Sequence, residues 1–169
     1  MNISSRRILG LAGAFLLGAG AASAQWQTGD ALPPLAQFGL AGVPGELSGR
    51  VVLVDFWASW CAPCKASFPA LDDLQRTYAG RGFTVLAVSV DDDPRKMKDF
   101  LAAHPVSFPV VHDARQQLVA AAGIEAMPTS FLIDRAGTIR FAHAGFKPES
   151  TPAELAAEIE RLLAPEPAP

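Results

Sequence analysis

The chain has 169 residues, 50% of them hydrophobic and 18% charged. That balance is ordinary for a globular domain and excludes a disordered or collagen-like chain. Lys+Arg number 14 against 17 Asp+Glu, a net charge of −3; no basic excess exists to neutralise a phosphate backbone, so nucleic-acid binding is not implied.

The N-terminus reads as an export leader. Arg6 and Arg7 form a short positive region, Ile8 to Ala22 carries no charge, and Ala22-Ser23-Ala24 is a small-residue cleavage site. This is the pattern of a secretory signal peptide over residues 1–24. The apolar run falls short of the roughly 20 residues that span a bilayer. Arg6-Arg7 also admits twin-arginine export, supported weakly by the residues that follow. Cleavage after Ala24 leaves residues 25–169 as one domain, placed in the periplasm, where disulfides persist.

Residues 25–49 are rich in Gly and Pro and read as an extended lead-in, with one short strand near Ala36–Leu40. Val51 to Trp57 is an apolar, β-branched run interrupted only by Asp55, the mark of a buried strand. A helix follows Cys61-Ala62-Pro63-Cys64, with Phe68, Leu71, Leu74 and Tyr78 on one face. Pro69 should kink it, and Gly80 and Gly82 close it. Phe83 to Val90 is a second buried strand. Asp93-Pro94 starts a helix with Met97, Phe100 and Leu101 inward, ending near His104-Pro105. Phe108 to Val111 is a short strand. Asp113 with Gln116 reads as a capping box for a helix that Gly123 ends. Ser130 to Ile133 and Thr138 to His143 form a hairpin around the loop 134–137. Thr151-Pro152-Ala153-Glu154 reads as a capping box for the last helix, with Leu155, Ile159 and Leu162 inward. Residues 164–169 are a Pro/Ala tail read as disordered. Alternating strands and helices followed by a hairpin predict an α/β fold, a mainly parallel sheet with an antiparallel C-terminal part.

The two cysteines, all that the chain has, carry the chemistry. Their spacing puts Cys61 at a helix N-terminus, where first-turn N–H groups and the helix dipole favour a thiolate. Cys64, one turn deeper, is placed to attack a mixed disulfide on Cys61. A purely structural bridge is the bland alternative, but closing so small a loop constrains the unfolded chain little. Zinc would need two further ligands, and His104, His112 and His143 show no paired ligand spacing. Copper delivery would call for a wider cysteine spacing and a ligating histidine. Trp57 reads as core. Lys65 is either solvated or close enough to support the thiolate. Asp91, Asp92 and Asp93 read as a solvated turn and cap. No metal or cofactor is implied.

Val54-Asp55-Phe56-Trp57-Ala58-Ser59-Trp60-Cys61-Ala62-Pro63-Cys64-Lys65 resembles the active-site strand and turn of the thioredoxin superfamily. Met127-Pro128-Thr129 resembles its cis-proline loop and Gly145 its late glycine, and the likeness runs over Val51 to Leu163. The added helix and strand of residues 92–113 resemble the insert of the TlpA/ResA-like branch, whose members are exported thiol–disulfide reductases, several serving cytochrome c maturation. The resemblance implies a thioredoxin-like fold with helices on both faces. It implies a protein-disulfide reductase with a redox-active disulfide between Cys61 and Cys64 and Asp55 as deep proton acceptor. Trp60, Met127, Pro128, Thr129 and Gly145 would border the substrate. Disulfide-containing exported proteins would be the partners of a monomer, and a membrane thiol reductant of the DsbD or CcdA type would recharge it. Three positions depart from the pattern. Ser67 stands where ResA-like proteins often have Glu, Asp55 where many exported members have Asn, and Ala87 where thioredoxin has Lys. A peroxidase of the peroxiredoxin group is the rival enzyme, but Trp60-Cys61-Ala62-Pro63-Cys64 lacks its Thr-x-x-Cys surroundings.

Overall fold

The computed structural model describes residues 25–40, 42–45 and 47–165. The leader, residues 1–24, and most of the tail, residues 166–169, lie outside the described residues. In chain order the elements are β1 (Val51–Trp57), α1 (Ala62–Tyr78), β2 (Phe83–Ser89), α2 (Pro94–Ala103), β3 (Val110–His112), α3 (Gln117–Ala122), β4 (Thr129–Ile133), β5 (Ile139–Ala144) and α4 (Thr151–Leu163). They form a thioredoxin-like α/β fold. Among the described residues no helix is long and apolar enough to cross a membrane.

The sheet order is β3-β2-β1-β4-β5. Helical crossovers through α1 and α2 make β1, β2 and β3 parallel neighbours, whereas β4 runs antiparallel to both β1 and β5. β1 is therefore central, and all seven of its residues are buried, which is why it reads as a continuous apolar run. Alternation sends Leu53, Asp55 and Trp57 to one face and Val52, Val54 and Phe56 to the other. On the first face the Trp57 ring lies 4.5 Å from Phe68 of α1 and 5.0 Å from Phe100 of α2. On the second, Phe56 and Phe131 meet Trp26 of the lead-in at 5.9 and 5.3 Å.

Four local expectations are corrected. The strand near Ala36–Leu40 is instead a 3-10 turn over Leu35–Phe38, closed by Gly39 at φ 63°. Pro33 and Pro34 precede it and offer no N–H to a sheet. β3 begins at Val110 rather than Phe108, because Pro109 can accept from Ala87 N–H but cannot donate. Asp113 does cap α3, accepting from the N–H groups of Gln117 and Val119 at 3.1 and 2.9 Å. Gln116 does not reciprocate: it takes φ 51° and donates its amide to Asp92. Thr151 is the first residue of α4 rather than its cap, and its hydroxyl accepts from Lys147 N–H at 3.0 Å.

Candidate active site

The end of β1 turns through residues 58–60 and enters α1 at Cys61. Cys61 is the N-cap of α1, with extended backbone, and its sulfur accepts the Cys64 N–H at 3.3 Å. Pro63 falls in the first turn, where its missing N–H costs nothing. Cys61 and Cys64 are joined by a disulfide with Cα atoms 5.3 Å apart. Cys61 keeps 6% of its surface exposed and Cys64 none, so an external thiol or disulfide reaches only the Cys61 sulfur. The surface beside it is Trp60, 61% exposed. Lys65 is also exposed.

Six residues before Cys61, Asp55 projects from β1 on the face that carries Trp57. It is 2% exposed, and its Oδ2 has no hydrogen-bond partner. Burial alone pushes its carboxyl up to about 8, because the charged form loses water and gains no ion in exchange. The register explains the missing counterion: Asp55 lies opposite Ala87 of β2, the position where thioredoxin has Lys. Ser67 is buried and donates its hydroxyl to Cys64 O at 2.8 Å.

The other predicted residues gather at the same end of the sheet. The Met127–Pro128 bond is cis. Pro128 O accepts the Gly145 N–H at 2.7 Å, which ties the proline loop to the glycine. Gly145 has φ 81°, a conformation that favours glycine. Thr129 opens β4 and donates its hydroxyl to Ala126 O at 2.8 Å. Trp60 and Met127 line a groove of about 650 Å³, floored by Val119 and Ile124 with Asp92 and Glu125 also on its wall.

One residue of the site was not legible in the sequence. Asp91 is 1% exposed rather than solvated. Its carboxylate accepts from Ser59 N–H at 3.1 Å, Ser59 Oγ at 2.7 Å and Ser89 Oγ at 3.0 Å, while its carbonyl meets His112 Nε2 at 2.6 Å. It thereby anchors the turn that delivers Cys61. In the run of three, only Asp92 is exposed and only Asp93 is a helix cap.

Residues 35–159 match the Redoxin family model. The chain belongs to the Redoxin family. Among Redoxin-like relatives, the thiol-disulfide oxidoreductases ResA of Bacillus thuringiensis (strain Al Hakam) and Bacillus subtilis (strain 168) are each 33% identical over 94 residues. Those residues are 56% of this chain and 54% and 52% of theirs, so the chain spans about half the length of the curated relatives it matches. A solved Chlorobium tepidum structure, assigned to the DsbE thiol:disulfide interchange proteins, is similar with a TM-score of 0.72 and 37% identity, covering 82% of this chain and 99% of that one. The cysteine pair, the buried carboxylate and the proline loop of this Redoxin-family chain thus sit on one fold end.

Proposed function

We propose that the protein is a thiol–disulfide oxidoreductase that reduces disulfides of exported proteins. The observation that carries this reading is the cysteine pair itself. One sulfur reaches the surface at a helix N-terminus, the other is buried, and an unpartnered carboxyl lies on the adjoining strand. The similarity to ResA and DsbE-type proteins supports the same chemistry.

The reduced protein would act in two steps. The Cys61 thiolate attacks one sulfur of the substrate disulfide; that bond breaks, a mixed disulfide forms, and the released substrate sulfur takes a proton. Cys64 then gives its proton to Asp55 in its carboxylate form, a minority at neutral pH that grows as pH rises toward about 8, and attacks the Cys61 sulfur. The mixed disulfide breaks, the second substrate thiolate leaves and takes a proton, and the Cys61–Cys64 bond forms. Two electrons and two protons pass to the substrate. Trp60, Met127, Pro128, Thr129 and Gly145 would frame the substrate, the proline supplying a strand edge without an N–H.

The leader-like residues 1–24 support export to the periplasm, which leaves recharging to a membrane reductant of the DsbD or CcdA type. Cytochrome c maturation is the process this assignment points to. Reduction of a disulfide-bonded peptide tests the chemistry. Cys61→Ser should abolish turnover, whereas Cys64→Ser should accumulate the mixed disulfide. Full turnover by Cys61→Ser would refute the reading.

A further inference from the structure

The groove beside the cysteine turn has a chemistry that disulfide exchange alone does not need. Val119 and Ile124 give it an apolar floor, and the exposed Trp60 indole stands on its wall one residue before Cys61. At about 650 Å³ it has room for more than one side chain. Its charged lining is of one sign. Asp92 and Glu125 are on the wall, and among the described residues no lysine, arginine or histidine lines it.

Both carboxylates are exposed, and among the described residues neither is held in an ion pair. Elsewhere on the surface Asp93 sits against Arg95, Asp134 against Arg140 and Glu160 against Arg81. The groove acids keep their charge for whatever enters. Asp92 is also held in place. Gln116, on the same wall, donates its side-chain amide to Asp92 Oδ1 at 3.2 Å. It does so from φ 51°, a left-handed backbone that residues other than glycine seldom take. The strained residue thus fixes a groove carboxylate and makes no side-chain cap to its own helix.

We propose that this groove selects client segments in which an apolar residue and a lysine or arginine lie beside the disulfide cysteine, with Asp92 and Glu125 setting the choice. The inference rests on the dithiol reading and names its substrate class; the two exchange steps are unaltered. The apolar residue covers the floor that water otherwise meets. The cation meets the two carboxylates, and the face of the Trp60 indole adds to the attraction. An acidic segment would bring like charges together, so repulsion contributes to the selection as well. Asp92 and Glu125 touch no reacting atom. They determine specificity through the charge they present beside Cys61.

Two disulfide-bonded peptides test the selection. Both carry a leucine next to the cysteine, and they differ at one flanking position, lysine in one and glutamate in the other. The readout is the ratio of kcat/KM values for oxidation of the reduced protein at low salt. The lysine peptide should be preferred about tenfold, the sum of several weak exposed pairs, and high salt should shrink the preference. Asp92→Asn with Glu125→Gln should bring the ratio to about twofold or less, and Asp92→Lys with Glu125→Lys should reverse it. Each ratio is taken within one variant, so a general loss of activity cancels. Asp73→Asn with Glu154→Gln changes the net charge equally at exposed acids outside the groove and should keep the preference. No preference in the wild type would overturn the selection. So would a preference that the groove variants keep, or one that the remote pair abolishes. Hydroxyethyl disulfide, small and neutral, separates the two readings. If it is reduced while the peptides react equally or not at all, only the selection falls. If neither it nor any peptide is reduced, the dithiol reading falls and the selection with it.

Discussion

Asp55 and Asp91 are both buried carboxylates close to the cysteine turn, and they live opposite lives. Asp91 stands at the end of β2, and Ser59 and Ser89 donate to its oxygens. Asp55 stands inside β1, with an apolar Ala87 opposite and an Oδ2 that nothing meets. Burial is common to both, so burial does not set the role. Partners do: a carboxylate supplied with donors is an anchor, and one left without them is a site for a proton.

Replacing Asp55 should give the largest effect. Asp55→Asn keeps the shape and removes the base, so release from the mixed disulfide should slow by about a hundredfold, the lower range for a positioned general base. The fold should respond in the opposite direction. Asp55 ionises near 3.8 as a free carboxyl and near 8 in the folded protein. Between those values the folded state holds a proton that the unfolded state has lost, so stability falls as pH rises through the interval. The loss is absent below the lower value and complete above the upper one. Asp55→Asn should therefore stabilise the oxidised protein at pH 9, on the order of 3–5 kcal/mol, with the gain gone near pH 4. Urea unfolding at the two pH values measures it; an equal gain at both would mean that packing, not ionisation, sets the difference.

Asp91→Ala should do the reverse. Stranding the Ser59 and Ser89 donors should cost about 2–4 kcal/mol. Chemical unfolding checks this, and no change in midpoint would break the contrast between the two acids. The smallest effect belongs to Ser67→Ala, which removes one hydrogen bond to Cys64 O. A loss of about 1 kcal/mol is expected, with release from the mixed disulfide unaltered. Slowed release would mean that Ser67 shares the proton work.

How much of this was legible in the sequence follows the range of the interactions. β1 and α1 were readable because β-branched residues run together and because Phe68, Leu71, Leu74 and Tyr78 recur at helical spacing; all four are buried. The cysteine turn was readable because its chemistry lies within four residues. Asp91 was not: its partner Ser59 is 32 residues away, and nothing in Asp91-Asp92-Asp93 distinguishes the buried acid from its neighbours. Gln116 was misread for a related reason. It has the right type and spacing for a capping box, but the link to Asp92 across 24 residues draws its side chain elsewhere. The lead-in was misread because Leu35–Phe38 is a 3-10 turn; among the described residues the lead-in's one bridge to the sheet region is Ala31 with Thr138.

The central claim is that Asp55, buried within β1, is a predominantly protonated acid at neutral pH in the oxidised protein. A carbon-13 NMR titration of the Asp55 side-chain carboxyl in the oxidised protein tests it directly. The midpoint should fall at about 8. A midpoint in the ordinary carboxylate range, near 4, would contradict it.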